Sequence, residues 1–243
     1  MTGLMPAPPL LSISRQLRNA MRPLAFAEPV THVYNPLEYA WEVHRSYLET
    51  HGKGRKEFVL LGMNPGPWGM AQTGIPFGDV GMVRDWLDLS GKVATPAREH
   101  PRRPIQGLAC PRGEVSGRRL WGWARDRFGT PQEFFRRFFV INYCPLSFME
   151  DSGRNRTPDK LPASERGPLF AACDRALVRM VETLEPSVIF GVGRFAESRA
   201  RAALGGWDGT IAGAPHPSPA SPLANRGWAP LMDQALAPWL DPA

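Results

Sequence analysis

Lysine is scarce in this chain: four occur, at positions 53, 56, 92 and 160. Amine nucleophiles for Schiff-base chemistry therefore have few candidates. Cysteine is scarcer, at 110, 144 and 173, widely spaced and without a CxxC pair. That excludes a four-thiolate iron–sulfur cluster and argues against a disulfide framework. The five histidines, at 32, 44, 51, 100 and 216, show no metal-ligand spacing; neither a metal nor a cofactor is expected. No apolar run is long enough to span a bilayer. Residues Met1 to Leu11 carry prolines at 6, 8 and 9 and no basic stretch, so they do not read as a signal peptide. The expected location is the cytoplasm, on the nucleoid in a bacterium, or the nucleus in a eukaryote, with no membrane contact.

What is present suits one α/β domain of 243 residues, 43% hydrophobic and 21% charged. The formal charge of +6 and pI near 9.6 invite an anionic partner, most commonly nucleic acid. The pairs Arg102-Arg103, Arg118-Arg119 and Arg136-Arg137 extend that reading, although each reads equally well as a solvated helix face.

Residues 1–12 read as a tail and 13–22 as a short helix, with the main domain spanning 26–243. Tyr34 to Tyr47 has helical apolar spacing, with Asn35 as a cap before Pro36. Four short apolar runs bounded by Gly, Pro or Asn read as buried strands: Phe58–Leu61, Phe138–Ile141, Val188–Phe190 and Thr210–Ala212. Helical stretches lie between and after them, at Val80–Leu87, Arg118–Phe128 with Ser116 as its cap and Gly129 beyond its end, Pro168–Glu185, Arg194–Leu204 and Ala229–Leu240. The alternation predicts a central four-stranded parallel sheet flanked by helices on both faces.

Ligands in such sheets bind beyond the carboxyl ends of the strands. There the chain carries Gly62-Met63-Asn64-Pro65-Gly66, Asn142-Tyr143-Cys144-Pro145, Gly191-Val192-Gly193 and Pro215-His216-Pro217-Ser218. Each residue has a plain structural reading: Asn64 before proline as a turn, Asn142 as a cap, His216 as a surface histidine. Gly191 and Gly193 without a third glycine are too weak for a dinucleotide fingerprint. Placement favours function, since two amides and one imidazole fall at corresponding ends of three strands.

The segment from Gly62 to Gly78, reading Gly-Met-Asn-Pro-Gly-Pro-Trp-Gly-Met-Ala-Gln-Thr-Gly-Ile-Pro-Phe-Gly, closely resembles the first motif of the single-strand-selective monofunctional uracil-DNA glycosylases. His216-Pro217-Ser218-Pro219 with Asn225-Arg226-Gly227-Trp228 resembles their second motif. Segments 142–146, 152–158 and 191–197 also match, so the resemblance runs from about Phe26 to Trp228. It implies excision of uracil, of oxidised relatives such as 5-hydroxymethyluracil, and of xanthine from DNA, leaving an abasic site; with no extra interface element evident, a monomer is expected. It implies that Asn64 positions the attacking water and His216 stabilises the departing base. Asn142 would pair with the uracil edge, Phe77 would stack on it, and Met63, Gly66 and Met70 would line the pocket. The loop carrying Ser152, Gly153, Arg154, Asn155 and Arg156 would enter the DNA, helped by Ser218 and Leu223. Animal members carry an arginine wedge after His-Pro-Ser-Pro; here that position is Ala220, which leaves Leu223 as the candidate wedge.

The residues suit that chemistry. A target base must leave the stack, and an aromatic face such as Phe77 returns about 1–3 kcal/mol of stacking. Uracil offers an acceptor at O4 and a donor at N3, which one primary amide can match, provided something fixes its orientation. The leaving uracil anion needs a donor, a role for His216. None of the four lysines lies in the two main motifs, which argues against a lyase step. Two rivals are a base-binding protein without activity, which a lost Asn64 or His216 would have signalled, and a nucleotide-binding α/β enzyme, which would need a complete glycine loop.

Overall fold

The computed structural model describes residues 10–240. In chain order its elements are α1 (Leu10–Met21), β1 (His32–Tyr34), α2 (Pro36–Tyr39), α3 (Trp41–His51), β2 (Phe58–Gly62), α4 (Met70–Thr73), α5 (Val80–Asp85), α6 (Val115–Phe128), α7 (Pro131–Arg137), β3 (Phe138–Asn142), β4 (Ser147–Met149), β5 (Asn155–Arg156), α8 (Ala163–Leu184), β6 (Val188–Val192), α9 (Arg194–Ala203), β7 (Thr210–Ala214), α10 (Pro222–Asn225) and α11 (Trp228–Leu240). Strands β3-β2-β6-β7 form the parallel sheet in that order. Each of the four apolar runs became one of these strands, because a strand covered on both faces reads as continuous hydrophobicity. Every residue of β2 and β6 is buried. The edge strand β7 is only partly covered, and its sequence, Thr-Ile-Ala-Gly-Ala, is correspondingly less bulky.

One sheet face presents Phe58, Phe138 and Phe190 to the aromatic rings of Trp123, Phe134 and Trp239 on α6, α7 and α11. On the other, Tyr47 of α3 stacks on Phe139 at 5.0 Å. Helix α9 lies on β6 so closely that a methyl group added at Gly191 would overlap the backbone of Glu197. Because the obstruction is backbone, it cannot rotate away. Gly191→Ala is expected to destabilise the fold by on the order of 3 kcal/mol, read as a lowered midpoint in urea unfolding.

The structure departs from the sequence reading in several places. The stretch 1–9 of the expected tail lies outside the described residues. Helix α1 already includes Leu10, three residues before the start read from the sequence, because Leu10, Ile13, Leu17 and Met21 form a buried stripe. Helix α6 is not capped by Ser116; it starts at Val115, and the Glu114 N–H is held at 2.7 Å by Asp79 from another loop. Helix α8 begins at Ala163 and carries Pro168 within it. Helix α7 was not anticipated, though Thr130 caps it through the Glu133 N–H at 3.3 Å. Nor was the antiparallel sheet β1-β4-β5, whose strands are three, three and two residues long. Asn35 does cap α2, accepting from the Leu37 N–H.

Candidate active site

The parallel register sets Gly62 beside Asn142 at the ends of β2 and β3. Beyond them opens a cavity of about 520 Å³, lined by the 63–68 loop, Phe77, residues 113–116, Asn142, Asn155, Thr157, His216, Ser218 and Pro219. The residues picked out at three separate strand ends therefore share one chamber.

The Asn64 amide is oriented from behind. Its Nδ2 donates to the Leu146 carbonyl at 3.0 Å. Its oxygen is thus the end available to accept a hydrogen bond inside the cavity. The ring of His216 is fixed in the same way. The Ser218 N–H donates to Nδ1 at 3.0 Å, so Nδ1 is unprotonated and the ring proton sits on Nε2. Burial holds the His216 pKa below its ordinary 6.5. The cavity therefore contains a neutral imidazole with one N–H to give. Gly193, at φ +90°, lets the backbone pass against this ring, since a Cβ there would sit 3.2 Å from Cδ2. Arg119 braces the same loop by donating to the Pro217 carbonyl and to Asn225, both at 2.9 Å.

Asn142 has the orienting partner that could not be located in the sequence. Its Nδ2 donates to Met70 Sδ at 3.2 Å. Flipping the amide would set its oxygen against the sulfur and lose that bond. Gly62 makes room for this arrangement, because a Cβ there would overlap Asn142 Oδ1.

Phe77 lines the cavity while only 8% exposed, and it adopts the left-handed region at φ +54°. That conformation is costly for a bulky side chain and persists only when its surroundings enforce it. Here Thr73 enforces it, its hydroxyl donating to the Gly78 carbonyl at 3.1 Å and accepting the Ile75 N–H at 3.2 Å. The ring stands 6.3 Å from that of His216.

A carboxyl group, Glu114, completes the wall facing the glycine loop. A Cβ added at Gly66 or Gly69 would overlap its oxygens. Burial, with Asp79 nearby, raises its pKa from 4.5 to about 7.

Comparison with known proteins agrees with this geometry. The family profile described as UDG, the uracil DNA glycosylase superfamily, matches residues 50–234. The chain belongs to that superfamily. Within it, the chain is 52% identical over 223 residues to the single-strand selective monofunctional uracil DNA glycosylase of Bos taurus, covering 91% of this chain and 82% of that one. It is 54% identical over 215 residues to the Rattus norvegicus protein of that name, covering 88% and 77%. The crystal structure of wild-type Pedobacter heparinus SMUG2 shares the fold, with a TM-score of 0.64 at 17% identity over 93% of this chain and 95% of that one.

The DNA-facing residues suggested by this glycosylase resemblance are less uniformly placed. Asn155 and Ser218 line the cavity. Ser152 and Arg154 are exposed on a turn beside it, with Gly153 at φ +77° between them. That turn is anchored rather than loose. Arg102 and Arg103 donate to the Ser152 and Gly153 carbonyls, and His100 Nε2 faces those of Glu150 and Asp151 at 3.1 Å. Arg156 is committed to Glu150 at 3.0 Å and to the Lys160 carbonyl. Leu223 lies apart from the cavity on α10 and is 64% exposed, the one large hydrophobic side chain so exposed among the described residues. The arginine pairs thus act largely as tethers: Arg118 faces Asp79, Arg136 pairs with Glu133 and Arg137 with Glu57.

Glu114, Trp68, Ser116 and Thr157 line the cavity without having been singled out from the sequence. Trp68 lies in the loop after β2 but was given no role of its own, while Glu114, Ser116 and Thr157 do not follow a strand of the main sheet, so the strand-end rule could not find them. No group of three His, Cys, Asp or Glu side chains able to hold a metal occurs among the described residues. No helix among them is long and apolar enough to cross a membrane.

Proposed function

We propose that this chain excises uracil from DNA by hydrolysing its N-glycosidic bond, leaving an abasic site. One observation carries the reading: a neutral His216 Nε2–H, an Asn64 carbonyl oxygen and a fixed Asn142 amide open into one cavity. The extruded base enters over Phe77, and Asn142 accepts from N3–H and donates to O4. As the C1′–N1 bond breaks, its electron pair goes to the base, and His216 donates to the charge gathering on O2. Asn64 Oδ1 holds a water whose oxygen adds to C1′, its proton passing to solvent as the uracil anion departs. The oxocarbenium-like sugar is reactive enough that positioning, without a strong base, suffices. We extend the reading to oxidised relatives such as 5-hydroxymethyluracil. The protein acts as a monomer on single- and double-stranded DNA, with Ser152, Arg154 and Leu223 on the nucleic-acid side.

The chemistry is tested by incubating the protein with a uracil-containing oligonucleotide in the presence of borohydride. Free uracil by mass spectrometry with no trapped protein–DNA adduct is the expected result. A trapped adduct would show an amine nucleophile and overturn the monofunctional assignment.

Met70→Leu keeps the volume but removes the sulfur acceptor. A hydrogen bond of about 1 kcal/mol translates to about a five-fold loss of kcat/KM on uracil, with weaker discrimination against cytosine. Paired uracil and cytosine oligonucleotides read both effects.

A further inference from the structure

The proposed catalytic groups account for most of a bound pyrimidine but not all of it. His216 takes O2, Asn142 takes N3 and O4, Phe77 takes one face, and N1 leads to the sugar at the mouth. The remaining edge holds carbons 5 and 6. The lining not yet assigned to the base comprises the glycine loop, residues 113–116, Asn155, Thr157 and Pro219, and among these Glu114 carries the one ionisable side chain. There Glu114 occupies the space that side chains at positions 66 and 69 would fill. Two glycines therefore admit a carboxyl group where larger residues would close the wall.

No hydrogen bond from a described residue reaches the Glu114 side chain, although its backbone N–H is held by Asp79. The carboxyl is thus an unused hydrogen-bonding group inside a ligand cavity. Its charged neighbours are few. Asp79 lies behind it, partnered by Arg118 of α6 at 3.6 Å. His216 stands on the same cavity wall as Ser218 and is neutral. Arg112 and Arg103 lie over the Trp68 ring at 4.1 and 5.2 Å. The facing loop, residues 63–69, carries no titratable side chain.

We propose that Glu114 reads the substituent on carbon 5 of the extruded pyrimidine, accepting a hydrogen bond from a hydroxymethyl group most strongly when ionised, so that preference for 5-hydroxymethyluracil over uracil rises with pH. This rests on the glycosylase reading of the same cavity. A charged acceptor makes a stronger hydrogen bond than a neutral carboxyl. The change of form falls near pH 7, where burial and Asp79 place the group. Below that pH the carboxyl is protonated and the preference is small; above it the carboxylate accepts fully.

The test compares kcat/KM on two single-stranded oligonucleotides that differ only in uracil or 5-hydroxymethyluracil, from pH 5.5 to 8.0. The ratio cancels everything the substrates share, including His216 and the phosphates. The wild-type ratio is expected to rise about fivefold through pH 7, and Glu114→Gln to flatten it. A flat wild-type ratio with uracil still excised overturns the proposal, as does a Glu114→Gln ratio that keeps the wild-type profile. Since the wild-type profile is itself a test, a poorly folded variant would not rescue the idea. Failure to excise uracil at any pH would remove the glycosylase reading as well, a result distinct from the other two.

Discussion

His216→Ala is expected to lower kcat on a uracil-containing single strand by about 10²–10³-fold, with KM changed only a few-fold. In the proposed mechanism the Nε2–H meets charge that exists only as the glycosidic bond breaks, so its loss would be felt in the transition state rather than in binding. The size follows from preorganisation. The Ser218 N–H fixes the tautomer, Arg119 braces the loop, and Gly193 lets the backbone press against the ring. An imidazole so held loses nothing to reorientation during the reaction. Its pH behaviour has a definite sign. Burial lowers its pKa below 6.5, so the neutral donor persists through neutrality. Protonating Nδ1 would set it against the Ser218 N–H; any loss due to this ring therefore appears only below pH 6.5. Single-turnover rates across pH, for wild type and variant, separate these effects.

Asn64→Ala is expected to reduce excision by about 10²-fold, the scale associated with misplacing a reacting group by about 1 Å. Base binding should survive, since Asn142, Met70 and Phe77 are untouched. The informative comparison is Asn64→Asp. A carboxylate brings a stronger acceptor to the water but places an oxygen where Nδ2 now donates to the Leu146 carbonyl at 3.0 Å. The repulsion turns the side chain away, so Asp at this position should remain well below wild type. A faster Asp variant would show that acceptor strength, not orientation, limits the reaction.

The sheet was legible in the sequence because β2, β3 and β6 are buried almost throughout and all four strands are flanked by breakers. The runs at Phe58, Phe138, Val188 and Thr210 could be little else. The strand-end rule then delivered Asn64, Asn142 and His216, whose shared cavity follows from topology alone. What was hidden came from elsewhere. Glu114 precedes α6 and reaches the cavity only because α6 packs beside the Phe77 turn, where Gly117 lies against the Phe77 carbonyl. The groups that orient Asn64, Asn142 and His216, namely Leu146, Met70 and the Ser218 N–H, act through a carbonyl, a thioether and an amide, which carry no compositional signal. Helix α7 was missed although Thr130-Pro131-Gln132-Glu133 is a legible cap, because its Phe-Phe-Arg-Arg tail runs straight into β3.

The most direct test of the central claim is strand scission of an end-labelled single-stranded oligonucleotide with one uracil, assayed without added metal, before and after hot alkali. Cleavage at the uracil position only after alkali, absent from a thymine control, is the predicted result. Intact DNA after alkali, with protein shown to be folded, would contradict the assignment of this cavity to uracil excision.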